Sequence, residues 1–155
     1  MNIFREWPHN WFGWWREYGE RYEDFPSIHS FMDKSWEFEA KDKLINYLME
    51  SQALAHSPSG RSCIFNQCRR SKIEYSKKHL MFPGPQTDGV WLWFADLSHY
   101  VKYHDIRLPD SMVTHIVSNN FIPQQLASAS LQSVAEGLDW PFTNPFLLNR
   151  GSFSH

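Results

Sequence analysis

Asp88-Gly-Val-Trp-Leu-Trp-Phe-Ala-Asp-Leu-Ser-His-Tyr-Val-Lys-Tyr-His104 is the stretch on which the fold turns. Asp88-Gly89 is a turn-forming pair, and the apolar run from Val90 to Phe94 is rich in β-formers, so a strand should leave a tight turn here. From about Ala95 to His104 the pattern changes to that of a helix. A strand that comes off a hairpin turn and runs straight into a helix points to an α+β fold with a small central antiparallel hairpin or sheet. Upstream, Ile73 and Tyr75 alternate with charged neighbours, so the whole of 62–94 reads as β-rich. Phe82-Pro83-Gly84-Pro85 must turn or bulge, because proline has no N–H to give to a central ladder.

Helices are expected on both sides. Downstream, Pro109 is a good first-turn residue for a helix with Met112, Val113, Ile116 and Val117 on one stripe. A further helix should start near Pro123, carry Leu126, Ala129, Val134 and Leu138, and stop at Gly137-Leu-Asp139, leaving an irregular tail over 140–155. Upstream, Gln52 to Ser62 reads as loop, and Glu37 to Ser51 as a helix with Ala40, Leu44, Tyr47 and Leu48 on one face. Trp11, Trp14, Trp15, Tyr18 and Tyr22 recur at helical spacing behind Asn10, a plausible N-cap, and predict an aromatic amphipathic helix over about 10–23. That stripe reads as core or lid packing. Its alternative is a partner-binding face formed by Trp11, Trp14, Trp15 and Tyr18, since such residues are enriched in interface hot spots.

The chain's 155 residues, 42% hydrophobic and 21% charged, fit one domain with its own core, helix-rich and covering 1–155. Eight tryptophans exclude a disordered chain, and no apolar run approaches the roughly 18 residues of a membrane span. The N-terminal segment, interrupted by charge, lacks the apolar region of a secretory signal, so the expected location is cytoplasmic. Residues 1–51 carry six basic and ten acidic groups, whereas 52–104 carry seven basic and three acidic, so positive charge collects mid-chain. Arg61, Arg69, Arg70, Lys72, Lys77 and Lys78 supply most of it. This segment reads as a solvated surface, with Arg69, Arg70 and Lys72 as candidate contacts to an acidic partner or to phosphate.

The sharpest chemical signal pairs Cys63-Ile-Phe-Asn-Gln-Cys68 with His99-Tyr-Val-Lys-Tyr-His104. In a cytoplasmic protein two close cysteines are thiols or metal ligands rather than a disulfide staple. Two thiols and two imidazoles are a tetrahedral ligand set for Zn²⁺, in which each short spacing lets one pair grip an edge of the tetrahedron. Residues five apart on an ideal helix differ by about 140° in direction, so the helix must end or tighten before His104 for both imidazoles to reach one ion. Four protein ligands leave no open position, which makes such a zinc structural. The alternative is two ordinary buried thiols and two locally bonded histidines. Deaminase, α/β-hydrolase, zincin, phosphate-loop and dinucleotide motifs are all missing, so no catalytic residue is assigned. A cysteine nucleophile with His99 or His104 as base, steadied by Asp96 or Asp105, can only be drawn on paper.

Residues 62–117 also carry a resemblance. Ser62-Cys63 to Cys68, Thr87-Asp88-Gly89-Val90-Trp91-Leu92-Trp93, Leu97-Ser98-His99-Tyr100-Val101 with His104, Ile106-Arg107-Leu108-Pro109 and Val113 with His115-Ile116 form the matching blocks. Together they resemble a family of small uncharacterised bacterial proteins with a close cysteine pair, a Thr-Asp-Gly block, a His-Tyr-Val-x-x-His element and a Leu-Pro helix start. Two differences stand out: four residues separate the cysteines here rather than two, and Phe94 follows Trp93 where that family commonly has proline. The resemblance implies a shared site and fold and no particular reaction. Trp91, Trp93 and Tyr100 could wall that site or simply be core.

Small size, absent catalytic motifs and surplus aromatics lead to the expectation of a non-enzymatic protein-binding protein. By analogy with small proteins of this architecture, the most specific form is a bacterial immunity protein that neutralises a cognate toxin domain. The alternative is a zinc-stabilised nucleic-acid-binding or regulatory module that uses 61–78 on phosphates, and an enzyme stands third.

Overall fold

The computed structural model describes residues 2–58, 60–68, 73–79, 81–127, 130–131 and 133. Among the described residues six short strands are formed, β1 (Trp11–Phe12), β2 (Gln52–Ala53), β3 (His56–Ser57), β4 (Phe82–Pro83), β5 (Pro85–Thr87) and β6 (Leu92–Phe94). Three helices accompany them, α1 (Lys41–Glu50), α2 (Leu97–Tyr103) and α3 (Asp110–Ser118). The larger sheet has the order β1-β6-β5-β2, with β1 parallel to β6 and the other two pairings antiparallel, while β3 and β4 make a separate antiparallel pair. This is the expected α+β domain.

The turn at 87–91 is built by its own side chains. Thr87 Oγ1 donates to the Trp91 carbonyl (2.7 Å) and accepts the Gly89 N–H (3.0 Å). Asp88 Oδ1 accepts the N–H groups of Val90 (3.0 Å) and Trp91 (2.8 Å). Gly89 takes φ +97°, a conformation that side chains disfavour, so Thr-Asp-Gly closes the β5–β6 hairpin as anticipated. β6 then leads through Ala95 and Asp96 into α2.

α1 buries Leu44, Ile45, Tyr47 and Leu48, close to the face predicted for it, and starts a turn later than Glu37. α3 follows Pro109 and buries Met112 and Ile116, leaving Val117 41% exposed at the edge of its stripe. The aromatic core gathers Phe12, Trp15 and Phe31, with ring centroids 4.9–5.8 Å apart, and Trp14, Trp93 and Tyr100 are also fully buried.

Several expectations fail for physical reasons. The helix over 10–23 does not form: Trp11–Phe12 is a strand, Arg16–Tyr18 and Glu20–Tyr22 are single 3-10 turns, and Gly13 (φ +96°) and Gly19 (φ +138°) break the chain between them. Gln52 to Ser62 is not simply loop, since β2 and β3 lie in it. Among the described residues the first part of the β-rich region expected over 62–94 forms no strand, including Ile73 and Tyr75, and the cysteines that the hairpin was expected to carry lie instead in 60–68, an irregular loop with a turn that Cys68 N closes on the Phe65 carbonyl (3.0 Å). No helix starts at Pro123, since 122–127 is irregular; 130, 131 and 133 are helical, and the rest of that predicted helix and the tail over 140–155 lie outside the described residues.

Gly13 offers a check on this architecture. A Cβ added there would meet the Leu97 side chain at 3.4 Å, and the residue would be held at φ +96°. Gly13→Ala is therefore expected to cost about 1–3 kcal/mol in a urea melt. An unchanged midpoint would show that the β1-to-core turn is not formed as described.

Candidate metal centre

Cys63 and Cys68 come from the 60–68 loop, and His99 and His104 from α2 and its end. The helix does stop where the ligand geometry requires. Tyr103 is its last residue, His104 follows as C-cap at φ −129° and ψ 22°, and Asp105 reverses the chain at φ +56°. That departure from helical geometry brings the His104 ring to the same side as His99, with centroids 5.1 Å apart.

One ligand atom from each of the four residues fits within a mutual distance of 4.8 Å. Cys63 Sγ lies 3.3 Å from His104 Nε2, and Cys68 Sγ lies 3.7 Å from His99 Nε2. A tetrahedral zinc with ordinary Zn–S and Zn–N bonds has S···N edges of about 3.5 Å, between the two observed values. The cluster could therefore hold a metal ion such as zinc.

The surroundings fix the ligands. The Phe65 N–H donates to Cys63 Sγ (3.4 Å), the kind of backbone bond that favours a thiolate. The Phe65 ring stacks on His104 at 4.4 Å, and Tyr100 Oη accepts the Ile64 N–H at 3.0 Å, pinning the loop to α2. Without an ion, burial pushes the Cys63 thiol up to about 11, helped by neighbouring Cys68. Burial lowers His104 and keeps its imidazole neutral, the form a metal takes. A divalent cation would reverse the cost at the thiols by ionising them, so binding displaces protons.

A second joint anchors the loop two residues before Cys63. The Arg61 guanidinium lies over the rings of Tyr18 (4.2 Å) and Phe94 (4.5 Å), beside the fully buried Asp96, whose Oδ2 accepts from Tyr18 Oη (3.0 Å). Burial pushes the Asp96 carboxyl up, and the Arg61 charge pulls it back. The two joints meet the chain on either side of His99, one at Asp96, the N-cap of α2, and the other at Tyr100 and His104.

Sequence reading missed a third cluster. Asp88 Oδ2 accepts from Tyr47 Oη of α1 and lies 2.9 Å from His115 Nε2 of α3, while Asn119 Nδ2 donates to Tyr47 Oη (3.3 Å). The Asp88 side chain is fully buried. Asp88 and His115 stood in the matching blocks of the resemblance, yet nothing in their spacing showed that they meet.

Of the residues suggested as a partner surface, Trp14 and Trp15 are wholly buried, and Trp11 keeps 6% of its surface exposed, as in the core reading. Tyr18 is half-buried and engaged by Arg61 and Asp96. Arg69, Arg70 and Lys72 lie outside the described residues. Trp91 and Trp93 are core, and of the three suggested walls Tyr100 is the one seated against the ligands. Among the described residues no helix is long and apolar enough to cross a membrane. In comparisons with family models, curated proteins and solved structures, the chain matches none.

Proposed function

We propose that the chain is a non-enzymatic cytoplasmic binding protein locked by a structural zinc, most specifically an immunity protein that neutralises a cognate toxin domain. The observation that carries the zinc is the convergence of two sulfurs and two imidazole nitrogens within 4.8 Å of one another, from a loop and a helix end. A four-ligand centre has no vacant position for substrate, which supports a structural role. Burial that disfavours the Cys63 thiolate argues against a free nucleophile there. The toxin-neutralising role is supported by small size and the lack of a catalytic motif; the aromatic surplus that also suggested it goes mainly into the core. The nucleic-acid alternative loses Arg61, whose charge is spent inside the fold on Tyr18, Phe94 and Asp96.

Two measurements test the proposal. Elemental analysis of untagged protein should find one zinc per chain, and a metal-free preparation that reloads none would refute the zinc. Affinity capture from the native host at moderate salt, read by mass spectrometry, should return one stoichiometric protein partner, a toxin domain on the specific reading. Recovery of nucleic acid alone, or of nothing, would overturn the binding role.

A further inference from the structure

The N-terminal segment folds around a cleft of about 460 Å³, far in sequence from the cysteine loop. Trp7, Trp11, Phe25 and Pro26 form its apolar lining. The rings are set edge to face: Trp7 meets Trp11 at 5.2 Å and 85°, and Phe25 meets Trp11 at 5.3 Å and 89°. His9 lies flat on Trp11 at 4.7 Å and 18°. Such an array can be extended by one more ring at little cost in ordering, because its own members are already held.

The holding groups are identifiable. Trp7 Nε1 donates to the Trp11 carbonyl (2.9 Å), Arg16 N to the Pro26 carbonyl (3.0 Å) and Arg16 Nε to the Phe25 carbonyl (3.2 Å). The Arg16 backbone and Nε thus brace the wall, and its two terminal nitrogens have no partner among the described residues. Arg21 and Asp24 complete the lining, which leaves it one net positive charge from two arginines and one aspartate. A guanidinium fork with both ends open suits a carboxylate, which it can bind through two parallel hydrogen bonds.

We infer that this cleft binds an aromatic ring bearing a nearby carboxylate, the ring against the half-buried Trp7 and the remaining exposed edges of Trp11 and Phe25, and the carboxylate on Arg16. A single negative charge matches the lining better than a phosphate dianion does. A nucleic acid is disfavoured further because 1–51 carries ten acidic groups against six basic. The same chemistry occurs in a free aromatic carboxylic acid and in the C-terminal aromatic residue of a polypeptide. The inference stands apart from the zinc and toxin readings.

Full-length protein labelled with ¹⁵N is titrated with 3-phenylpropionate to about 10 mM while the indole N–H signals of Trp7 and Trp11 are followed by NMR. Saturable shifts are expected, with 3-phenylpropionamide binding at least about tenfold more weakly because it lacks the charge that Arg16 pairs. Arg16→Gln should lose the same factor, and Arg16→Lys should recover part of it. Acetyl-Gly-Gly-Phe with a free C-terminus, against its C-terminal amide, distinguishes the sources: tighter binding than phenylpropionate indicates a polypeptide end, weaker binding a free acid. Absence of saturable shifts, or equal binding of acid and amide, overturns the inference. The acid and amide comparison uses the unaltered chain, so it decides the matter even if an Arg16 variant fails to fold.

Discussion

Removing the proposed zinc is expected to lower the protein's stability by about 4 kcal/mol, the effect of a ligand held at a thousandfold above its dissociation constant. Chain entropy leads to a similar size. The ion would tie residue 68 to residue 99, a closure over 31 positions, and a cross-link over a loop of that length removes about 3–4 kcal/mol of unfolded-state entropy. For a chain of this length the melting midpoint should fall by roughly 8–16 °C. Cys63→Ser and His104→Ala should each reproduce most of the loss in zinc-replete buffer, and chelator should then add little, because both act on one centre. The clustered aromatic core argues that the chelated protein still folds, unlike an isolated zinc finger. Equal melting curves for loaded and zinc-free protein, with the metal content verified, would remove the structural role.

The second large effect is expected at Asp88, whose carboxylate accepts from two backbone N–H groups of its own turn, from Tyr47 and from His115. Asp88→Ala leaves two buried donors, Trp91 N and Tyr47 Oη, and two partly buried ones unpaired, and it unpins α1 and α3 from the hairpin together. The expected cost is about 3–5 kcal/mol in urea unfolding, since each buried donor left unpaired costs about 1–3 kcal/mol. Asp88→Asn should cost about half as much. Its amide oxygen can still accept from Val90 and Trp91, while its amide nitrogen replaces the acceptor that Tyr47 and His115 use. If Asp88→Ala unfolds within about 1 kcal/mol of the parent, the network contributes no more than an ordinary surface bond.

The Cys63, Cys68, His99 and His104 cluster was legible in the sequence because ligand chemistry does not depend on the fold: two thiols and two imidazoles in close pairs make a candidate zinc set wherever they lie. The requirement that the helix end before His104 followed from helix geometry alone, and it holds. The segment 10–23 misled because its aromatic spacing is also produced by a two-residue strand and two 3-10 turns packed on the same core. Neighbouring Trp14 and Trp15 are both wholly buried, which no one-sided helix allows. The positive-φ glycines at 13 and 19 were the overlooked signal. β2 and β3 have two residues each, too few for any periodicity to register. The meeting of Asp88 with Tyr47 and His115 spans 41 and 27 positions, and only the tertiary fold sets such pairings.

The parallel pairing of β1 with β6 has a consequence for the order of events during synthesis. Trp11 and Phe12 are made well before their partners Leu92 and Trp93, which follow 81 positions later. At about 5–20 residues per second this leaves the tryptophan-rich segment waiting roughly 4–16 s for the strand that receives it. For that interval it is a sticky, unpaired stretch on a nascent chain, and the domain closes only when its middle delivers β6. Nascent chains halted before residue 92 should therefore be bound by chaperones that release the finished protein.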